Sequence, residues 1–517
     1  IEKKLEEEPD NEHLKQQATL IHNARITTIH SFCLSVIRDH FPMIGLDPAF
    51  RIGEEGELKL LRHDVLDELL EEEYTEGRSQ FLDFVSAYGT GKNDKKIEEL
   101  ILKVYEYSRS YPDAQEWLHE CVKGYELENL DELEESPYVD LLKMYVELYL
   151  EDARARLYQG IEICREDSGP YMYEDALEDD LRMVERVLGA ETYQGLSEYM
   201  GDISWMKLPP NRDKTVSSDK ADQVKLIRDE VKELMKELNQ QYFYAEPEII
   251  LKDIKGCQPM VRELTSLVEK FAERFEEKKR TKNMIDFSDM EQYAMKILTE
   301  KTEGGFCPTA AAEEYQEQFL EIMIDEYQDS NLIQETILTS VSRYSRGEYN
   351  IFMVGDVKQS IYRFRLSRPE LFMEKYDTYS TEDSDTQRID LHKNFRSRAE
   401  VLESVNYIFR QIMTRPLGGI AYDEDAALYV GADYPEGTDH ETEVYLIDAV
   451  KSSWEDRKRE ARVTAWRIHQ LMENFQVTDK ATGELRPVKY SDIVILTRSV
   501  RGFADVFTEV LNEEGIP

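Results

Sequence analysis

The sequence predicts an α/β protein: a parallel-sheet domain interrupted by a large all-helical insertion and followed by part of a second α/β domain. Three observations predict it. Short apolar or β-branched runs at 25–29, 319–324, 350–354, 388–391, 443–447 and 492–496 alternate with amphipathic segments near both ends of the chain, the pattern of strand–helix–strand units. Between residues 47 and 280 the apolar residues instead recur at helical spacing in an acidic background. One apolar run, 319–324, stops at the adjacent acids Asp325 and Glu326. Open parallel sheets place ligands at the carboxyl ends of their strands.

Taken in order, 25–29 (Arg-Ile-Thr-Thr-Ile) reads as a strand, His30 and Ser31 as a polar turn, and Phe32 to Ile37 as the start of a helix. The helical block carries stripes such as Leu58, Leu61, Val65 and Leu69; Leu141, Tyr145, Leu148 and Ala153; and Val261, Leu264, Leu267 and Phe271. Residues 209–213 (Pro-Pro-Asn-Arg-Asp) read as a loop inside it. The run 319–324 reads as a buried strand, 332–341 as a helix capped by Asp329 to Asn331, and 350–354 as a second strand. Such a unit is parallel and right-handed by default. An acidic break at 381–385 reads as a linker, after which short strands alternate with helices at 401–413 and 455–472. The implied division is 1–45 and 281–378 for the first α/β domain, 46–280 for the insertion, and 379–517 for the second.

Composition narrows the function classes. A net charge of −43 argues against a globally basic nucleic-acid surface, so any such contact must be a local groove. Hydrophobic residues at 41% can build sizeable cores over 517 residues. No apolar run reaches membrane-spanning length, and five scattered cysteines without metal-ligand spacing read as buried free thiols of a cytoplasmic protein.

The motifs carry the chemistry. One acid at the end of a strand can hold Mg²⁺ through its water shell, here Asp325, and the next, Glu326, can orient and deprotonate an attacking water. The second strand ends in Gly355, which admits close backbone approach, and Gln359, which can reach a phosphate or that water. Tyr362, Arg363, Phe364 and Arg365 then interleave rings with cations, a combination suited to unpaired bases and phosphates. In isolation that stretch would read as an ordinary amphipathic segment; its position behind a nucleotide-site strand favours coupling to DNA. Phe395 could stack on a purine and Arg396 could bring charge to a γ-phosphate. Thr28, His30 and Ser31 could meet a DNA backbone, although a lone His is more often simply exposed. A phosphate-cradling G-x-x-x-x-G-K-[ST] loop is missing. The lookalike ending Gly89-Thr90-Gly91-Lys92-Asn93 fails, with Ser86 and Asn93 in place of the required Gly and Ser/Thr.

Together these segments resemble superfamily 1 DNA helicases of the UvrD/Rep/PcrA type. Thr28-Ile29-His30-Ser31-Phe32 resembles the family's T-x-H-S-F block, and residues 325–331 its D-E-Y-Q-D-S-N block. Residues 355–365 resemble G-D-x-x-Q-S-I-Y-x-F-R, and Asn394-Phe395-Arg396-Ser397 resembles N-Y-R-S. Residues 286–290 and 490–498 resemble further blocks, and the long acidic insertion is most similar to the AddA-type helicase–nuclease subunits. The resemblance implies two RecA-like domains with ATP and Mg²⁺ in the cleft between them. It implies Asp325 on the metal, Glu326 as base, Gln359 and Arg396 on the γ-phosphate, and Asn394 and Phe395 at the nucleotide, Phe395 stacking on adenine. It places Thr28, His30, Ser31, Tyr362, Phe364 and Arg365 on DNA. It further implies 3′→5′ movement on single-stranded and duplex DNA, an AddB-type partner subunit, and double-strand-break processing. The phosphate loop is expected before residue 1 and later motifs after Pro517, so an internal fragment is expected. A free-standing UvrD-like repair helicase and a non-catalytic scaffold are the rival readings.

Overall fold

The computed structural model describes all residues except 1, 22–23, 90–92, 435–440, 448–452 and 480–481, and not the side chains of 2, 365, 416 and 453–455. These residues form two compact units: 1–389 with 415–420, and 390–414 with 421–517. The protein is mostly helical with small parallel sheets.

In the first unit, β1 (Arg51–Ile52) pairs in parallel with β2 (Met284–Ile285), Arg51 opposite Met284. The chain between these two strands is helical. It closes around two cores. In one, Leu58, Leu61, Val65 and Leu69 of helix Glu55–Glu76 meet Leu267, Phe271 and Phe275 of helix Pro247–Thr281. The other gathers Val146, Leu150, Ala153 and Leu157 of helix Pro137–Arg165 with Leu177 and Val224 of its neighbours. The stripe expected on Pro137–Arg165 is out of phase at three of its four positions: Leu141, Tyr145 and Leu148 face solvent, while Ala153 is buried together with Val139, Val146 and Leu150. Both series are apolar at helical spacing, so periodicity alone does not decide which faces inward.

A third core lies beside the remaining strands. Phe32, Val36 and Ile37 of helix Ile29–His40 pack with Met290, Tyr293, Ala294 and Ile297 of helix Phe287–Leu298 and with Ile333, Ile337 and Val341 of helix Leu332–Val341. A hairpin not foreseen from the sequence, β3 (Thr299–Thr302) with β4 (Gly305–Pro308), follows; Gly305 takes a positive φ of 112° at its turn. Then β5 (Ile322–Ile324) and β6 (Ile351–Met353) pair in parallel, Ile322 opposite Ile351, with helix Leu332–Val341 between them.

Two strand expectations change here. Residues 25–28 carry no ladder, and Ile29 already belongs to a helix that Thr28 caps; the Thr28 hydroxyl offers the backbone a local partner instead of a neighbouring strand. The 319–324 strand shortens to β5 and is half-buried on one face only, with Ile322 against the core and Met323 71% exposed. Of the cysteines, all free, Cys33 and Cys164 are buried whereas Cys257 and Cys307 are exposed.

The second unit contains β7 (Lys393–Asn394) parallel to β8 (Tyr429–Val430), helix Ala399–Ile412, and helix Ser453–Asn474 packed with Ala504–Glu513. An antiparallel pair, β9 (Gln476–Thr478) with β10 (Leu485–Pro487), completes it. The runs 388–391, 443–447 and 492–496 do not form strands; Leu391, Val444, Leu446, Val494 and Leu496 stand exposed. Alternating apolar residues suit a strand, yet a strand exists only through the ladder of a neighbour.

Candidate nucleotide and DNA site

The carboxyl end of β5 delivers Asp325 and Glu326 to solvent. Asp325 Oδ1 accepts the Glu326 N–H at 3.0 Å, and Glu326 sits in the left-handed region at φ 52°, a conformation that costs a non-glycine residue about 1–2 kcal/mol. Its carboxylate is held from behind. The buried Gln328 donates its Nε2–H to Glu326 Oε2 at 2.7 Å and accepts the Asp356 N–H on Oε1 at 3.0 Å. Gly355 makes this possible, because a Cβ there would stand 2.6 Å from Gln328 Oε1. Asp356 in turn accepts Gln359 Nε2–H at 3.0 Å and pairs with Lys358 at 2.9 Å. One continuous chain of contacts thus joins the ends of β5 and β6 through Glu326, Gln328, Asp356 and Gln359.

Behind this end, the buried Tyr327 donates its hydroxyl to Glu335, which also pairs with Lys375 at 2.8 Å. Burial, and then the Glu335 charge, push the Tyr327 phenol far up, so it stays a donor. Asp329 Oδ1 is buried without a hydrogen-bond partner, and burial followed by the nearby Glu326 charge raises its carboxyl. The helix cap is Asn331, whose Oδ1 accepts Gln334 N–H at 2.8 Å. Carboxylates of this kind suit a hard cation that keeps much of its water, as Mg²⁺ does. Among the described residues one trio, His63, Asp67 and Glu98, has ligand atoms within 4.8 Å of one another, on the surface of the helical block.

Thr28 and Ser31 lie at the start of helix Ile29–His40, their hydroxyls 3.0 Å apart and Thr28 Oγ1 accepting the Ser31 N–H at 3.4 Å. His30 sits on the buried Glu291 at 3.3 Å. Beyond β6, Tyr362 and Phe364 face each other with ring centroids 5.9 Å apart, Phe364 74% exposed. Arg363 is engaged by Glu370, and the Arg365 side chain lies outside the described residues. Arg368 then returns to the site: its N–H donates to Ser330 O at 2.8 Å, and its guanidinium reaches the Tyr111 hydroxyl at 2.6 Å in the helical block. In the second unit, Asn394 at the end of β7 accepts the N–H groups of Arg396 and Ser397, both at 2.9 Å, and shapes a turn that leaves Phe395 and Arg396 exposed. Gly89 closes helix Ser79–Tyr88 and follows no strand; residues 90–92 of the phosphate-loop lookalike lie outside the described residues.

Gln328, Asp356 and Glu291 are among the members of this arrangement that had no role assigned from the sequence. Gln328 lies in the same seven-residue string as Asp325 and Glu326. Glu291 is an acid among Met290, Tyr293 and Ala294 on a helix buried almost all round, and a buried charge implies partners.

Residues 1–380 match the UvrD/REP helicase N-terminal domain. The chain belongs to that family. The span that matches UvrD/REP helicases holds every site residue above except Asn394, Phe395 and Arg396. Those three fall in the stretch shared with longer relatives. The whole chain is 44% identical to the AddA subunit of the ATP-dependent helicase/nuclease of Lachnoclostridium phytofermentans, covering 41% of it. It is 39% identical to the corresponding helicase/nuclease subunits of Geobacillus thermodenitrificans and Bacillus cereus, covering 43% of each. The chain therefore spans under half the length of these relatives.

Proposed function

We propose that this chain carries the central part of an ATP-driven DNA motor of an AddA-type helicase–nuclease, moving 3′→5′ and serving double-strand-break repair and recombination. The observation that carries the reading is the Glu326 carboxylate, held by Gln328 at the end of β5 and tied through Asp356 to the loop that leads to Tyr362 and Phe364. A general base needs a fixed position near the proton it takes, and Gln328 supplies it. Asp325 is assigned to Mg²⁺, which when bound neutralises phosphate charge, and Glu326 accepts a proton from the attacking water. Gln359 and Arg396 are assigned to the γ-phosphate, and Asn394 and Phe395 to the nucleotide. Thr28, His30, Ser31, Tyr362, Phe364 and Arg365 are assigned to DNA, single-stranded where the rings stack.

We assign β5 and β6 to a RecA-like domain with the helical block inserted in it, and residues 379–517 to the start of a second. An AddB-type subunit is the proposed protein partner, since the relatives are named as subunits of a helicase/nuclease. These 517 residues contain no phosphate loop, so the chain by itself is expected not to hydrolyse ATP. The test is Glu326→Gln in the intact protein. Loss of a positioned base lowers turnover by about 10²–10⁴-fold, with single-stranded DNA binding largely retained. Normal turnover would remove Glu326 as the base.

A further inference from the structure

Glu291 lies on helix Phe287–Leu298 with its side chain only 9% exposed, and no role assigned above uses it. Its carboxylate meets donors from two other segments. Oε1 faces His30 Nε2 at 3.3 Å and accepts Gln334 Nε2–H at 2.7 Å, while Oε2 accepts Asn331 Nδ2–H at 3.2 Å. His30 is 41% exposed, so the imidazole touches Glu291 and solvent at once. Its ring is further held edge-on by Phe287, with centroids 5.8 Å apart. Asn331 caps helix Leu332–Val341 and follows Ser330, whose carbonyl accepts the Arg368 N–H. The segment after the catalytic turn is therefore gripped from two sides. Glu291 links it to His30, and Arg368 links it to the segment that carries Tyr362 and Phe364.

A buried carboxylate with both oxygens occupied is worth most when all its donors are in place, and its remaining hydrogen bonds change in strength when one is drawn away. A phosphate approaching the open face of His30 competes with Glu291 for the same imidazole. What His30 gives up, Asn331 and Gln334 take over, and the cap next to Asp325 to Ser330 responds. We propose that Glu291 is a positioning residue that couples the strand-contact segment at His30 to the catalytic turn 325–331. The inference rests on the motor reading proposed for the site.

The experiment measures ATP turnover of the intact protein against oligo-dT concentration, for wild type, Glu291→Gln, His30→Asn and the double variant. Coupling between sites is typically worth about 5–150-fold. The ratio of turnover at saturating oligo-dT to turnover without DNA is expected to fall about tenfold in Glu291→Gln, with a much smaller change in the oligo-dT concentration at half-stimulation. The double variant is expected to lose no more of that ratio than the worse single variant, because both remove one contact. An unchanged ratio, additive losses, or rates with and without DNA that fall in parallel with the melting midpoint would each overturn the coupling. A wild-type protein whose turnover ignores DNA would sink the motor reading itself, whereas a DNA-stimulated wild type with an unaffected Glu291→Gln sinks only the coupling.

Discussion

Replacing Lys279 by Met tests the junction between the helical block and the site. Lys279, 2% exposed on helix Pro247–Thr281, pairs with Asp286 at 2.9 Å and with Asp289, and rests on the Phe275 ring with its Nζ 4.5 Å from the centroid. Asp286 and Asp289 form the capping box of helix Phe287–Leu298. Arg109, from the block, closes the quartet on Asp289 at 3.0 Å, so two cations balance two acids out of water. Met fills most of the lysine's volume but leaves one buried carboxylate uncompensated. Removing one partner of a buried pair costs about 3–5 kcal/mol. For a unit spanning 1–389 with 415–420, at about 2.1 cal/mol/K of unfolding entropy per residue, that corresponds to a melting midpoint lower by about 4–6 °C, measured by scanning calorimetry on the intact protein. Lys279→Met/Asp286→Asn should recover much of the loss, because Asp289 keeps Arg109 and the stranded charge is that of Asp286, a cap position that Asn also serves. A single variant within about 1 kcal/mol of wild type, the range of exposed pairs, would refute the claim that this quartet is dry and charge-balanced.

Gly355→Ala should displace Gln328 from Glu326; a charge-assisted hydrogen bond worth about 1.5–3 kcal/mol predicts roughly 10–150-fold slower ATP turnover, and unchanged steady-state kinetics would contradict it. Phe364→Ala should weaken single-stranded DNA binding by about 1–3 kcal/mol while leaving the melting midpoint unchanged, read by titration with oligo-dT. Acid sensitivity should centre on Glu73. Burial raises its carboxyl, but hydrogen bonds from Lys270 and Arg78 more than reverse this and hold it below the usual range. A depressed folded value means stability complete above the unfolded value of about 4.3 and lost as pH falls through the folded one. Urea titrations of Glu73→Gln should therefore show a flatter loss below about pH 4.3 than wild type.

Helices were legible because their signals are local. Residues 332–341 were read as helix and are helix Leu332–Val341, and 401–413 became Ala399–Ile412. Strands were less so, since 443–447 and 492–496 have strand composition but no ladder among the described residues. The paired acids at the end of β5 were legible because an apolar run ending in charge is unusual. The partners that organise them were not. Gln328 acts through Asp356, 28 residues on, and Glu291 meets His30 across most of the first unit, distances over which no periodicity carries information.

The left-handed backbone at Glu326 sets folding and chemistry against each other. Gly at that position would relieve about 1–2 kcal/mol of backbone cost, and Asn part of it, so under the base role proposed for Glu326 the better-folded variant is the one that lacks the carboxylate. The turn thus holds a carboxylate where backbone energetics alone favour glycine.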